Sequence, residues 1–251
     1  MIDVAFTRVE LRPAEVAVVV DVLRATSTAA QALAAGYRRV LCAESIERAR
    51  QLRGPARVLA GERQCVMPAG FDQGNSPREA IARRGDELVL ATTNGAPTIV
   101  AATQHAPRVL LACLLNFGAV LRELGLRARE PELDVQVVCS GTDGAVALED
   151  VYVAGRLSAA LPGNRTDAAR VAEAVARAFE TPLEALAASA DAAALAEANL
   201  SGDIEYCALE SQLDVVPAVI AAGTGTAVIA DLTGREAADN AAGAQARARV
   251  G

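Results

Sequence analysis

At 251 residues the chain is long enough for one large α/β domain or two small ones, with a substantial core. Aromatic residues make up only 3% and Trp is absent, so that core has to be built from Val, Leu, Ile and Ala. A net charge of −7 with no basic stripe argues against a general nucleic-acid binder.

Met1 to Leu11 reads as an initial strand, broken by Pro13. The next run, Val16 to Val20, is a buried-strand pattern that stops at Asp21 and is followed by Arg24, Thr26, Ser27 and Thr28. An apolar strand that ends in polar residues and opens into a helix is how α/β folds place chemistry at the carboxyl edge of a sheet. Arg24 offers a bidentate fork to a phosphate or carboxylate, and the hydroxyls with the helix amino end add neutral donors. On its own the stretch reads equally as a helix cap with a surface arginine. A helix from about Ser27 closes at Gly36, a strand follows at Arg39 to Ala43, and Ser45 caps a helix to Leu52.

The strand Arg57 to Ala60 leads to Gly61, Glu62 and Arg63 and into the longest irregular segment, about Gln64 to Pro77. A loop of that length in a compact domain is usually functional or disordered. Met67 and Phe71 are expected to pin it, and Asp72, Asn75 and Ser76 are its polar groups. Glu87 to Ala91 is a strand that ends in Thr92, Thr93, Asn94 and Gly95, and Pro97 falls in the first turn of the following helix. Arg108 to Leu115 repeats this pattern, ending at Asn116 and Gly118. Asp134 to Cys139 repeats it again, ending at Ser140-Gly141-Thr142-Asp143-Gly144, with Glu149 and Asp150 early in a helix over about Ala145 to Leu161.

After Pro162 the residues from Thr166 to Asn199 are alanine-rich and helical, Ser201 to Leu232 returns to the sheet, and Gly234 onward is a charged, small-residue helix. The expected fold is a three-layer α/β/α arrangement with a largely parallel or mixed sheet and the site at the carboxyl edge of the strands. Residues 1–162 carry the main sheet and the site, and residues 163–251 pack with them as one unit.

Five separated cysteines suggest neither a disulfide framework nor a zinc site. The amino terminus lacks an apolar h-region, and the uncharged run Val215 to Ala230 is interrupted by Pro217, Gly223 and Gly225. A cytoplasmic protein with no membrane partner is expected, and a homodimer is left open. Cys42 to Arg48 has the spacing of a phosphatase loop but lacks its glycines, no Walker lysine motif occurs, His105 reads as structural, and Gly223-Thr224-Gly225 reads as a turn.

In a mostly parallel sheet the polar strand ends lie along one edge and can converge. Arginines, hydroxyls and helix amino ends favour an anion, whereas Asp21, Glu62, Asp72, Glu149 and Asp150 would repel one. A divalent cation between them resolves the conflict and points to metal-assisted phosphoryl chemistry.

The set DVLRATST at Asp21 to Thr28, AGER at Ala60 to Arg63, GFDQGNSP at Gly70 to Pro77, TTNGA at Thr92 to Ala96 and LED at Leu148 to Asp150 resembles the 2-phosphosulfolactate phosphatase family. The resemblance runs in order over about residues 15–217, with Ala96 and Ser140 as departures from the family pattern. It implies a Mg²⁺-dependent hydrolase converting 2-phosphosulfolactate to 3-sulfolactate, a step toward coenzyme M. Asp21, Glu62 and Asp72 are the catalytic candidates, and Asp21, Glu62 and Asp150 the metal ligands. Arg24, Thr26, Ser27, Arg63, Asn75, Ser76, Thr92, Thr93, Asn94 and Gly95 are the candidate contacts to the small phosphorylated, sulfonated acid. In-line attack by water or an aspartyl-phosphate on Asp21 or Asp72 would complete the chemistry. The rival readings are a phosphatase for another small phosphorylated acid and a non-catalytic binder of an anionic metabolite.

Overall fold

The strands are β1 (Ile2–Ala5), β2 (Val16–Val20), β3 (Arg39–Ala43), β4 (Arg57–Gly61), β5 (Glu87–Ala91), β6 (Arg108–Ala112), β7 (Val135–Cys139), β8 (Pro217–Gly223) and β9 (Thr226–Asp231). The helices are α1 (Ala25–Ala34), α2 (Ile46–Gln51), α3 (Pro77–Ala80), α4 (Gly95–Ala102), α5 (Phe117–Arg127), α6 (Leu148–Ala160), α7 (Asp167–Arg177), α8 (Pro182–Ala187), α9 (Ala190–Glu197) and α10 (Ser201–Cys207). A short 3-10 turn at Arg8–Glu10 replaces the second half of the expected first strand. This computed structural model describes residues 1–127 and 133–233; the helix expected from Gly234 onward lies outside them.

All of β2 is buried, which requires a helical layer on each face of the sheet. Side-chain alternation supplies both contacts. Val16, Val18 and Val20 enter an apolar cluster with residues of β7, α5, α6 and the later helices, while Ala17 and Val19 enter a second cluster with α1 and α4. On the other half of the sheet, Val40, Cys42, Leu88 and Leu90 join that second cluster, and Leu41, Ala43, Val89 and Ala91 pack with Ile46 and Ala49 of α2. The result is the three-layer α/β/α fold, with α1 and α4 shared by both halves.

The nine strands lie in the order β1-β7-β2-β6-β8-β9-β3-β5-β4. Strands β1, β7, β2 and β6 run parallel to one another, and so do β3, β5 and β4. Between these blocks sits the hairpin β8–β9, antiparallel within itself and to both of its neighbours. Its tight turn holds Gly225 at a φ of 65°. The two parallel blocks therefore run in opposite senses, and a flat sheet would send their carboxyl ends to opposite edges. Twist of roughly 20–25° per strand accumulates over the steps from β2 to β5, and both blocks wrap the shared α1–α4 layer. The single parallel edge expected from the sequence is thus replaced by two strand-end clusters that meet across the amino ends of α1 and α4.

The meeting is close. A Cβ on Gly95 would lie 2.4 Å from Asp21 Oδ2 and 2.4 Å from the Ala25 Cβ, so α4 reaches β2 only because residue 95 has no side chain. Gly95→Ala is expected to destabilise the fold by ~1–3 kcal/mol through overpacking, read as a lower midpoint in urea unfolding. An unchanged midpoint would show that the two blocks are not held at this contact.

Candidate active site

The strand ends and the later helices enclose a cavity of about 750 Å³. Asp21 and Arg24 reach it from β2, Glu62 and Arg63 from β4, Thr93 and Asn94 from β5, and Thr142 and Asp143 from β7. Asn75 enters from the long loop. The opposite wall comes from α9, through Asp191, Ala194, Leu195 and Glu197. Asp191 was not anticipated: its position after the capping Ser189 reads in sequence as an ordinary first-turn acid.

Each wall residue is held by its surroundings. Asp21 Oδ1 accepts the Ala25 amide at 2.8 Å, which caps α1. Glu62 Oε1 accepts both the amide and the hydroxyl of Thr93, at 2.8 and 3.0 Å, and its Oε2 accepts the Cys65 amide. Arg63 Nη1 donates to the Glu62 carbonyl at 2.7 Å. Asn94 Oδ1 accepts the Asp143 amide at 3.2 Å, joining the β5 and β7 ends. Thr142 donates to Asp191 Oδ2 at 2.5 Å, fastening the α9 wall to the sheet. Arg24 is buried, and its Nη1 donates to Asp203 Oδ2 at 2.6 Å; Asp203, on α10, was also not anticipated.

Other candidates are used elsewhere. Thr26 Oγ1 donates to the Asp21 carbonyl at 2.8 Å and Ser27 Oγ to the Val22 carbonyl at 2.8 Å, so both hydroxyls fasten the β2–α1 turn. Thr92 Oγ1 accepts the Ala96 amide at 2.9 Å and starts α4. Ser76 Oγ donates to Asp203 Oδ1 at 2.7 Å. Gly95 serves by close approach, as described above.

Asp72 is turned away from the cavity: its Oδ2 accepts the Leu59 amide at 2.7 Å and its Oδ1 faces Arg53. Asp150 lies behind the wall, with Oδ1 and Oδ2 accepting the Val22 and Gly141 amides at 2.9 and 3.2 Å. It bridges the ends of neighbouring strands, and the ligand role given to it does not match that placement. Phe71 does pin the long loop in the core, whereas Met67 is exposed. The Cys42 thiol is fully buried and pushed well up by burial, and Arg48 is bonded to Thr226 and Gln51, so that pair forms no anion cradle. His105 Nδ1 lies 3.1 Å from the Ala101 carbonyl.

The electrostatics of the cavity are strained toward protonation or a cation. Burial pushes Asp21 up to about 7, and Asp191 and Glu62 add repulsion against the pull of the Ala25 amide and Arg24. Burial, then repulsion from Asp191, pushes Glu149 up to about 8, and its Oε2 is buried with no partner. Asp150 is also raised, by burial first and then by Glu149 and Asp21. Among the described residues, no group of three or more His, Cys, Asp or Glu side chains is arranged as a metal cage. Mg²⁺ needs only one or two carboxylates where substrate phosphate and water complete its shell. Asp21 and Glu62, both on the cavity wall and repelling each other, fit that requirement.

The family model for 2-phosphosulpholactate phosphatase matches residues 6–221. A probable 2-phosphosulfolactate phosphatase of Thermus thermophilus is 41% identical over 234 residues, covering 88% of this chain and 97% of the relative. A protein with the same name from Deinococcus radiodurans is 40% identical, covering 85% of this chain and 92% of its own length. One from Pseudothermotoga lettingae is 36% identical, covering 88% and 96%. The chain belongs to the 2-phosphosulpholactate phosphatase family.

Proposed function

We propose that this chain hydrolyses 2-phosphosulfolactate to 3-sulfolactate and phosphate in a Mg²⁺-dependent reaction of the cytoplasm, a step toward coenzyme M. The observation that carries the reading is the sharing of one cavity by two arginines, Arg24 and Arg63, and five carboxylates, Asp21, Glu62, Asp143, Asp191 and Glu197. Family membership supports the reaction class, and the names of the relatives support the substrate. Five free cysteines, four of them buried, suit a reducing compartment.

Arg24 binds phosphate oxygens through Nε and Nη2, which have no partner among the described residues. Asn94 adds a donor at the amino end of α4, whose dipole favours the same anion. Arg63 takes the sulfonate or carboxylate. Thr93 orients Glu62 with its amide and hydroxyl. The α9 wall, with Ala194 and Leu195, limits access of bulk water. Mg²⁺ held by Asp21 and Glu62 would neutralise phosphate charge and lower the pKa of a bound water. Water attacks in line with the leaving alcohol. Of the two carboxylates considered for a phosphoenzyme, only Asp21 lines the cavity.

Purified protein incubated with racemic 2-phosphosulfolactate is expected to release phosphate with Mg²⁺ and to stop with EDTA. Asp21→Asn and Glu62→Gln should each lower kcat/KM at least about 100-fold. Faster turnover of phospholactate than of phosphosulfolactate would move the assignment to another phosphorylated acid, and full turnover in EDTA would remove the cation.

The raised carboxyls also fix the sign of a pH effect. Asp21 is held at about 7 against an ordinary 3.8, so over that range the folded protein keeps a proton that the unfolded chain has released. Stability therefore falls as pH rises from about 4 to about 7, and Glu149, at about 8, extends the decline. The melting temperature of EDTA-treated protein is expected to drop between roughly pH 5 and pH 8. Asp21→Asn should flatten the slope, and Mg²⁺ should raise the melting temperature at the alkaline end. A melting temperature that rises with pH would contradict this account.

A further inference from the structure

The Arg24–Asp203 pair is almost wholly buried, with side chains 3% and 2% exposed and 2.6 Å between Nη1 and Oδ2. Asp203 uses its other oxygen, Oδ1, to accept Ser76 Oγ at 2.7 Å. Ser76 also starts α3, accepting the Glu79 amide. It adjoins Asn75, which lines the cavity. Helix α10 is itself fixed. Tyr206 donates to Gln31 Oε1 on α1 at 2.6 Å. One carboxylate thus holds a cavity arginine on one side and the loop carrying a cavity asparagine on the other.

We infer that Asp203 is a positioning residue for oxyanion binding: by fixing Nη1 of Arg24 and the hydroxyl of Ser76, it sets the open edge of the guanidinium toward the ligand and holds the loop that brings Asn75 to the same cavity. The physical grounds are two. A buried ion pair is a weak stabiliser, since well-packed apolar residues of similar volume do as well or better, so fold stability alone does not call for a charge pair here. An unrestrained arginine would lose side-chain freedom on binding, whereas one held at Nη1 has already lost it, and its planar fork meets an oxyanion in a fixed plane. The ligand class is a phosphate monoester or inorganic phosphate. This inference rests on the phosphatase reading for the identity of the ester, though not for the recognition of the oxyanion.

The test is a double-mutant cycle of Asp203→Asn and Arg24→Lys, read in kcat and KM for 2-phosphosulfolactate and in the dissociation constant of inorganic phosphate measured by calorimetry. Asp203→Asn is expected to raise KM and the phosphate dissociation constant by about tenfold, with kcat changed less than about threefold. In the Arg24→Lys background the same substitution should change phosphate affinity by less than about twofold, because its effect passes through the arginine fork. Where Asp203→Asn does not fold, Asp203→Glu, which keeps the charge and displaces the arginine, is read in its place with the same expectation.

Unchanged phosphate affinity, or effects of the two substitutions that simply add, would overturn the inference. If the wild-type protein binds phosphate but does not turn over phosphosulfolactate, the substrate assignment fails and the cycle in phosphate affinity still decides the role of Asp203. If the wild-type protein binds no phosphate either, the inference fails.

Discussion

The contact between the Asp21 carboxylate and the amino ends of α1 and α4 is the constraint on which the rest of the structure depends. One oxygen takes the Ala25 amide, and the other lies against the bare Cα of Gly95. That contact joins the end of β2 to the helix that follows β5, across a sheet whose two parallel blocks run in opposite senses. Asp150 reinforces the β2 side, taking the Val22 and Gly141 amides and so tying the end of β2 to the end of β7. With those ends fixed, the cavity has a rigid floor of polar side chains, while its roof is a separate set of helices fastened to the floor by Thr142 and Asp191.

The concentration of charge at that floor is expensive. Carboxylates removed from water and set near one another are driven toward the proton-bound form, as Asp21, Glu149 and Asp150 are. Buried arginine and aspartate at positions 24 and 203 lose hydration as well and recover it only through close pairing. Ionising these carboxyls costs stability, and perturbed groups gathered in a cleft are the physical mark of a place where ligands bind.

Residues of one motif divide between two kinds of work. In the stretch after β2, Arg24 reaches the cavity while the hydroxyls of Thr26 and Ser27 bond backbone carbonyls of the turn. In the long loop, Asn75 lines the cavity, Ser76 serves Asp203, and Asp72 faces the other way to satisfy the Leu59 amide of β4. Short polar side chains next to a turn always have a local partner within reach, and the backbone often takes it. A motif therefore marks a region of function without saying which of its oxygens meets the ligand.

What the sequence by itself determined was local. Period and turn chemistry placed β2, β3 and β5 at their observed bounds, Ser45 at the start of α2, and the long segment after Glu62 as a loop pinned by Phe71. The polar residues that follow β2, β4, β5 and β7 were legible as a group at the strand ends, and the structure brings members of each to one cavity. Tertiary structure decided the rest. The β8–β9 hairpin, drawn from the far end of the chain, enters the middle of the sheet and reverses the sense of one block, and no periodicity reports a pairing partner. Asp191 lies in the alanine-rich α9 and Asp203 in the short α10, where a first-turn acid is ordinarily solvent-facing, and only the packing of these helices over the strand ends turns them inward. Local preferences are written in neighbouring residues, whereas these contacts join groups as far apart as positions 24 and 203, and their geometry exists only once the layers have closed.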